Sequence, residues 1–194
     1  MAIKSSMLLI YNPIAGKGRS LKEQPYVLNT LDALGAEYQL VETTAPGHAT
    51  ELARNAGLMG YPIVVSVGGD GTVNEVINGL MAAHLAGDPV AVLGLLPLGR
   101  GNDFSVGAGI PKEIDRAIAL LNSGVRRPLD VGLVSGGDYP EGKYFANGIG
   151  IGFDTLVGLH AAELKKIGGA LGYVIGALKT FIQYPKAPQV CISW

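Results

Sequence analysis

Four short apolar runs constrain this chain more than any other feature: Met7–Tyr11, Glu37–Glu42, Pro62–Val67 and Ala91–Leu96. Each is rich in Val, Ile and Leu without strict alternation, the pattern of strands covered on both faces in a parallel sheet. Helical periodicity fills the gaps near Ser20–Leu34, His48–Leu58, Val73–Leu85 and Lys112–Leu121. The third helix is the clearest, with Val73, Val76, Ile77, Leu80 and Met81 recurring at i, i+3, i+4, i+7 and i+8. Thr72 and Glu75 before it read as an S/T-x-x-E capping box. Strands alternating with helices require right-handed crossovers, helices on both faces, and ligands at the carboxyl ends of the strands. The expected fold class is therefore α/β, beginning with a parallel-sheet domain.

After Gly124 the texture changes. Arg126-Arg127-Pro128 breaks the pattern, Leu129–Val134 and Tyr144–Ile151 read as strands, and Asp154–Lys166 and Leu171–Ile182 read as helices. The second of these helices carries Leu171, Val174, Ile175 and Leu178 on one face. This places a boundary between residues 1–127 and 128–194, with the second part reading as an incomplete domain too small to stand alone. Val190–Trp194 reads as the start of a further strand with an unpaired edge.

Composition narrows the class. With 29 Gly and 11 Pro scattered through 194 residues, a coiled coil is excluded, and 48% hydrophobic residues exclude a disordered chain. Fifteen basic and 16 acidic residues give a net charge of −1, which offers no polycationic surface for nucleic acid. The single Cys191 and three His cannot build a disulfide framework or an ordinary structural zinc site, and the cysteine usage fits a reducing compartment. His48, His84 and His160 are dispersed and carry no assignment. No signal segment is legible, and the longest uncharged stretch, Asn55 to Gly69, holds Pro62 and four glycines, so a cytoplasmic protein is expected.

Three loops follow strands: Asn12-Pro13-Ile14-Ala15-Gly16-Lys17-Gly18-Arg19, Gly68-Gly69-Asp70-Gly71-Thr72, and Pro97-Leu98-Gly99-Arg100-Gly101-Asn102-Asp103-Phe104. Glycine lets backbone amides approach a phosphate closely, and a helix N-terminus adds unpaired donors and a favourable dipole. One such loop alone would be no more than a tight turn; three on one sheet edge point to a phosphate ligand. No G-x-x-x-x-G-K-[ST], no G-x-G-x-x-G after the first strand, no H-R-D or D-F-G, no G-x-S-x-G and no H-E-x-x-H is present. Asp70, alone between glycines, is the candidate functional carboxylate. Lys17, Arg19, Lys165 and Lys166 read as a solvated face, although the first two sit on a phosphate loop.

The three motifs, with Val73-Asn74-Glu75 after the second and Phe145-Ala-Asn-Gly-Ile-Gly-Ile-Gly-Phe-Asp154 downstream, resemble the diacylglycerol kinase catalytic-domain family over nearly the whole chain. That family includes soluble bacterial lipid kinases and sphingosine and ceramide kinases. The G-G-D-G-T block is also similar to that of NAD kinases and phosphofructokinases; the Asn-Glu and Gly-Asn-Asp-Phe blocks favour the lipid branch. The resemblance implies an N-terminal nucleotide-binding domain followed by the start of a β-sandwich, and ATP and Mg²⁺ as cofactors. It implies transfer of the γ-phosphate to a lipid hydroxyl such as that of diacylglycerol, in lipid metabolism and phospholipid biosynthesis. It further implies peripheral contact with an anionic membrane surface, and it admits a homodimer.

Carried over by position, the resemblance places Asn12, Pro13, Gly16, Thr43, Gly68, Gly69, Asp70, Gly71, Thr72, Asn74, Gly99, Arg100, Asn102 and Asp103 at the nucleotide. It makes Asp70 catalytic, acting on Mg²⁺ through water with Asp130, and places Asp103 in the same network. Arg100 departs from the pattern, since most relatives carry Thr there. Family members are longer, and their second domain supplies a general base, so residues 1–194 alone are expected to be inactive. Two other readings stand beside this one: a NAD kinase-like enzyme acting on a soluble substrate, and a non-catalytic nucleotide-binding module.

Overall fold

The computed structural model describes residues 7–87, 91–150, 152–163 and 170–183. Four strands, β1 (Met7–Tyr11), β2 (Tyr38–Glu42), β3 (Ile63–Gly68) and β4 (Val92–Pro97), form one sheet in the order β2-β1-β3-β4. Every pairing in it is parallel, as the non-alternating apolar runs require. The strands carry side chains into both faces. Leu9, Tyr11, Val65, Val67 and Leu96 pack under helices α1 (Ala15–Ala33) and, beyond β4, Ile114–Ser123. On the other face Leu8, Ile10 and Val64 meet helices α2 (His48–Leu58) and α3 (Asp70–Leu85). The two helices beyond β4 are α4 (Asp103–Gly107) and α5 (Ile114–Ser123).

Helix α1 leaves β1 toward one face and α3 leaves β3 toward the other, although β1 and β3 are neighbours. Such a divergence opens a crevice at the carboxyl ends of the two strands. At the edge of the sheet, the Tyr38 hydroxyl donates to Asp32 Oδ1 at 2.8 Å, and burial, followed by that carboxylate, pushes the phenol up to about 12 from its ordinary 10.0. A pKa raised on folding contributes stability that is complete below about 10 and is lost as pH rises toward 12. Ultraviolet titration should find Tyr38 among the late-ionising tyrosines of the native protein, and Tyr38→Phe should lower the late-titrating amplitude by one tyrosine.

Several elements differ from the sequence reading. Helix α1 has three left-handed residues after Ala15, namely Gly16, Lys17 and Gly18 (φ 62°, 60° and 83°), so its regular part starts at Arg19. Helix α3 begins at Asp70 with Gly69 as its N-cap and no side-chain cap. Thr72 and Glu75 therefore do not form a capping box; both are used by neighbouring elements. Strand β5 (Gly132–Gly136) pairs antiparallel with β6 (Tyr139–Phe145), through a turn at Gly137 and Asp138 that Gly136 and Gly137 allow with φ of 105° and 53°. The second strand thus ends where the apolar pattern had it begin.

The compact units are Met1–Asn147 and Gly148–Trp194, a division later than 127/128. The cause is the β5–β6 hairpin, in which Val131, Tyr144 and Ala146 pack on Val73 and Ile77 of α3. In the second unit the described elements are α6 (Phe153–Glu163) and α7 (Ala170–Gln183). Gly176 lets them meet closely, since a Cβ there would lie 2.9 Å from the Val157 carbonyl oxygen. Thr180 Oγ1 and His160 Nδ1 are 2.9 Å apart, and Lys179 pairs with Glu163 at 2.8 Å. The expectations for Val190–Trp194, Cys191, Lys165 and Lys166 lie outside the described residues. No helix among those described is long and apolar enough to cross a membrane.

Candidate active site

A cleft of about 340 Å³ opens at the carboxyl ends of the strands. It is lined by Asn12, Ile14, Ala15 and Gly16 after β1, Thr43 to Pro46 after β2, and Gly69, Gly71, Thr72 and Glu75 around the start of α3. Gly99 and Arg100 after β4 complete it, with Ala49 of α2. A depression of about 480 Å³ at the opposite end of the sheet, beside Gln39, Met59 and Tyr61, brings none of the motifs together. The motif-bearing cleft is the candidate site.

The loops are packed backbone to backbone. A Cβ built on Gly99 would lie 2.3 Å from Gly69 Cα, and one on Gly16 would lie 2.5 Å from the Leu98 carbonyl oxygen. Only glycine permits either approach. Asn12 joins loop to helix: its Nδ2 donates to Thr72 Oγ1 at 2.9 Å while its Oδ1 accepts the Ile14 N–H at 3.2 Å. Below it, the buried Tyr11 hydroxyl donates to the Ser20 carbonyl at 2.8 Å, and burial raises its pKa. This bond fixes the left-handed turn between β1 and the regular part of α1.

Asp70 occupies the first position of α3. Its Oδ2 accepts the Asn102 N–H and its Oδ1 the Phe104 N–H, both at 2.9 Å. One carboxylate thus holds the third loop against the second, and its charge complements the helix dipole. Asn102 is the loop's internal brace. It is left-handed (φ 56°) and 5% exposed; its Oδ1 accepts the Gly99 N–H at 2.9 Å, and its Nδ2 donates to the Gly99 carbonyl at 3.2 Å. Asn tolerates φ > 0 better than most residues, which explains its place here.

Of the residues singled out in the sequence, the cleft brings together Asn12, Gly16, Thr43, Gly69, Gly71, Thr72, Gly99 and Arg100. Gly68 and Asn102 are buried behind it; Asp103 is exposed, with its carboxylate beside Gly101 and near that of Asp70, and Asp130 is exposed and does not line the cleft. Asn74 faces another way, donating through Nδ2 to the Tyr144 carbonyl at 3.0 Å. Lys17 and Arg19 do not line the cleft; Arg19 lies 3.7 Å from Glu23. Arg100 is the only Lys or Arg in the lining, and it has no ion pair or hydrogen bond among the described residues. Sequence reasoning gave Glu75 a capping box and not a place at the cleft, where its Oε2 accepts the Ala49 N–H at 3.2 Å and its carbonyl accepts the Thr50 hydroxyl at 3.1 Å. Glu75 therefore caps α2 and fixes the Thr43–Gly47 wall, where Thr44 N–H also donates to His48 Nδ1 at 3.1 Å.

Charge at this site is limited to few groups. Each Asp70 oxygen already accepts one N–H and keeps a second lone pair, which suits a cation held through water. Among the described residues no group of three or more His, Cys, Asp or Glu stands ready to ligate a metal directly. For an anion the fit is better: the first-turn amides of α3 have no capping side chain, and Gly69, Gly71 and Thr72 line the cleft.

An α/β domain with a glycine cradle at its switch point defines a class of phosphate-binding proteins. Residues 6–134 match the diacylglycerol kinase catalytic domain, and the chain belongs to that family. It is 37% identical over 173 residues to a diacylglycerol kinase of Bacillus subtilis strain 168, covering 88% of this chain and 54% of that protein. A diacylglycerol kinase of Staphylococcus aureus strain bovine RF122 is 34% identical over 183 residues, covering 94% and 54%. The crystal structure of a diacylglycerol kinase from Bacillus anthracis strain Sterne superposes with a TM-score of 0.56 at 31% identity, over 66% of this chain and 45% of that one. The chain thus spans about half the length of these relatives.

Proposed function

We propose that this chain supplies the ATP cleft of a lipid kinase that transfers the γ-phosphoryl group of ATP to the hydroxyl of diacylglycerol or a similar lipid. The carrying observation is the convergence of three glycine-packed loops on the uncapped N-terminus of α3. Phosphoryl transfer depends mainly on positioning and on neutralising charge. In this reading the amides of Gly69, Gly71 and Thr72 receive phosphate oxygens, Asn12 orders the first loop, and Thr43 borders the nucleoside. Asp70 holds the third loop in place and meets Mg²⁺ through water, with Asp130 and Asp103 in the wider network. Bound Mg²⁺ would supply neutralisation of the phosphate charge. The bond from the γ-phosphorus to the bridging oxygen breaks, one to the lipid oxygen forms, ADP leaves, and the hydroxyl proton passes to a base outside this cleft. The acceptor side would lie at an anionic membrane surface in the cytoplasm.

The test is transfer of label from γ-labelled ATP to diacylglycerol in mixed micelles, by the 194-residue chain and by any longer product of its gene. Labelled phosphatidic acid is expected from the form that carries the acceptor domain. Label passing to NAD instead, or ATP binding with no transfer by any form, would overturn the lipid reading.

Arg100 gives a sharper expectation about the nucleotide. A guanidinium can grip a phosphate with two parallel N–H bonds, which a hydroxyl cannot. Arg100→Thr is expected to weaken ATP binding about tenfold or more at low salt, the effect of one charged hydrogen bond of about 1.5–3 kcal/mol. The gap should narrow at moderate salt, where screening reaches an exposed charge. Calorimetric titrations giving equal dissociation constants at both salt concentrations would remove Arg100 from the site.

A further inference from the structure

Helix α3 presents a third face besides those toward the sheet and the cleft. On it Asn74 and Asn78, one turn apart, meet the backbone of a single residue of β6. Asn78 Nδ2 donates to the Tyr144 carbonyl at 2.9 Å, and Asn78 Oδ1 accepts the Tyr144 N–H at 2.9 Å. The same Nδ2 reaches the Asn74 carbonyl at 2.8 Å, and Asn74 Nδ2 adds a second bond to the Tyr144 carbonyl at 3.0 Å. Strand β6 belongs to a sheet of only two strands, so alternate residues aim their polar groups away from β5. At Tyr144 the Asn78 side chain takes the place of a third strand. Around this point Tyr144, Val131 and Ala146 pack with Val73, Ile77 and Phe104. Asp130 is joined directly to Val131, and Val73 lies three residues along α3 from Asp70.

We propose that Asn78, supported by Asn74, is a positioning residue: its amide clamps Tyr144 so that the β5–β6 hairpin, with Asp130 at its foot, is fixed to the helix whose N-terminus floors the cleft. Only a group with one donor and one acceptor in this geometry satisfies both polar groups of Tyr144. An ionised carboxylate keeps the acceptor but faces the carbonyls of Tyr144 and Asn74 without a proton to give. A protonated carboxyl has both functions again, and its neutral form is favoured by those carbonyls. The kinetic consequence rests on the phosphoryl-transfer reading; the clamp itself does not.

The experiment compares hydrogen exchange of wild type, Asn78→Asp and Asn78→Leu at neutral pH and near pH 5, each referred to wild type at the same pH. At neutral pH both variants are expected to exchange the amides of residues 133–145 about tenfold faster, the loss of roughly one to two net hydrogen bonds, with β1–β4 unchanged. Near pH 5 the difference should close for Asn78→Asp and persist for Asn78→Leu. In whichever form transfers phosphate, kcat should fall in Asn78→Asp while KM for ATP stays within about twofold, because the cleft lining is untouched. Unchanged exchange in the hairpin, or equal acceleration in the β1–β4 sheet, would overturn the clamp. A raised KM for ATP with unchanged kcat would overturn its positioning role. Failure of wild type to transfer phosphate would count against the kinase reading alone, since exchange still judges the clamp.

Discussion

Asp70→Asn is expected to lower phosphoryl transfer by at least about a hundredfold and to destabilise the domain by about 2–4 kcal/mol. The two losses have one origin. The carboxylate offers an acceptor to each of two backbone donors, Asn102 N–H and Phe104 N–H, at 2.9 Å. An amide keeps one acceptor and turns an NH₂ toward the other donor, leaving a backbone N–H of a buried residue unpaired. The negative charge at the first position of α3 is lost as well. Because the third loop carries Gly99 and Arg100, its loosening reaches the cleft directly. Denaturant unfolding with exchange of the Asn102 and Phe104 amides checks the structural half, and label transfer the catalytic half. Wild-type protection of those two amides in the variant would show that the carboxylate does not hold the loop.

Gly99→Ala is the second large effect. Its methyl would sit 2.3 Å from Gly69 Cα and 2.6 Å from Asn102 Oδ1, so the second and third loops cannot both stay where they are. Overpacking of this kind costs about 1–3 kcal/mol or more, and ATP affinity should fall by well over about tenfold, since both loops line the cleft. Gly71→Ala separates binding from folding. A Cβ there meets nothing within 4 Å, so stability should hold or rise as expected for Gly→Ala in a helix, while a methyl at a cleft-lining position obstructs the phosphates. Thermal unfolding and ATP titration of the pair decide it; a stable Gly99→Ala protein with wild-type affinity would mean that the loops are not packed as described.

The legible part of this molecule was the part carried by periodicity and by glycine. Buried parallel strands have apolar runs that no other element needs, and β1 was read to the residue. The three loops were visible because backbone cannot approach backbone or phosphate without glycine. What escaped was tertiary use of ordinary local patterns. Thr-x-x-Glu at 72 and 75 looks like a capping box, yet Thr72 receives Asn12 and Glu75 receives the Ala49 N–H across the α2–α3 contact. Asn74 stood inside a contiguous motif, but advancing about 100° per residue turns it away from the face shared by Gly71, Thr72 and Glu75. Strand β6 was misplaced because its exposed first half, Tyr139 to Glu141, offers no apolar run and is set by the turn at Gly137 and Asp138. Asp70 looked free of structural purpose because backbone donors on a distant loop leave no trace in sequence.

The central claim is that the cleft between the three glycine loops receives the phosphates of ATP. A backbone amide NMR titration of the 194-residue chain with ATP addresses it without requiring turnover. The largest shifts are expected at Gly16, Gly69, Gly71, Thr72 and Arg100, with smaller ones along the Thr43–Pro46 wall. Saturating ATP that leaves these amides in place, or moves instead those of Gln39, Met59 and Tyr61 at the opposite end of the sheet, would contradict it.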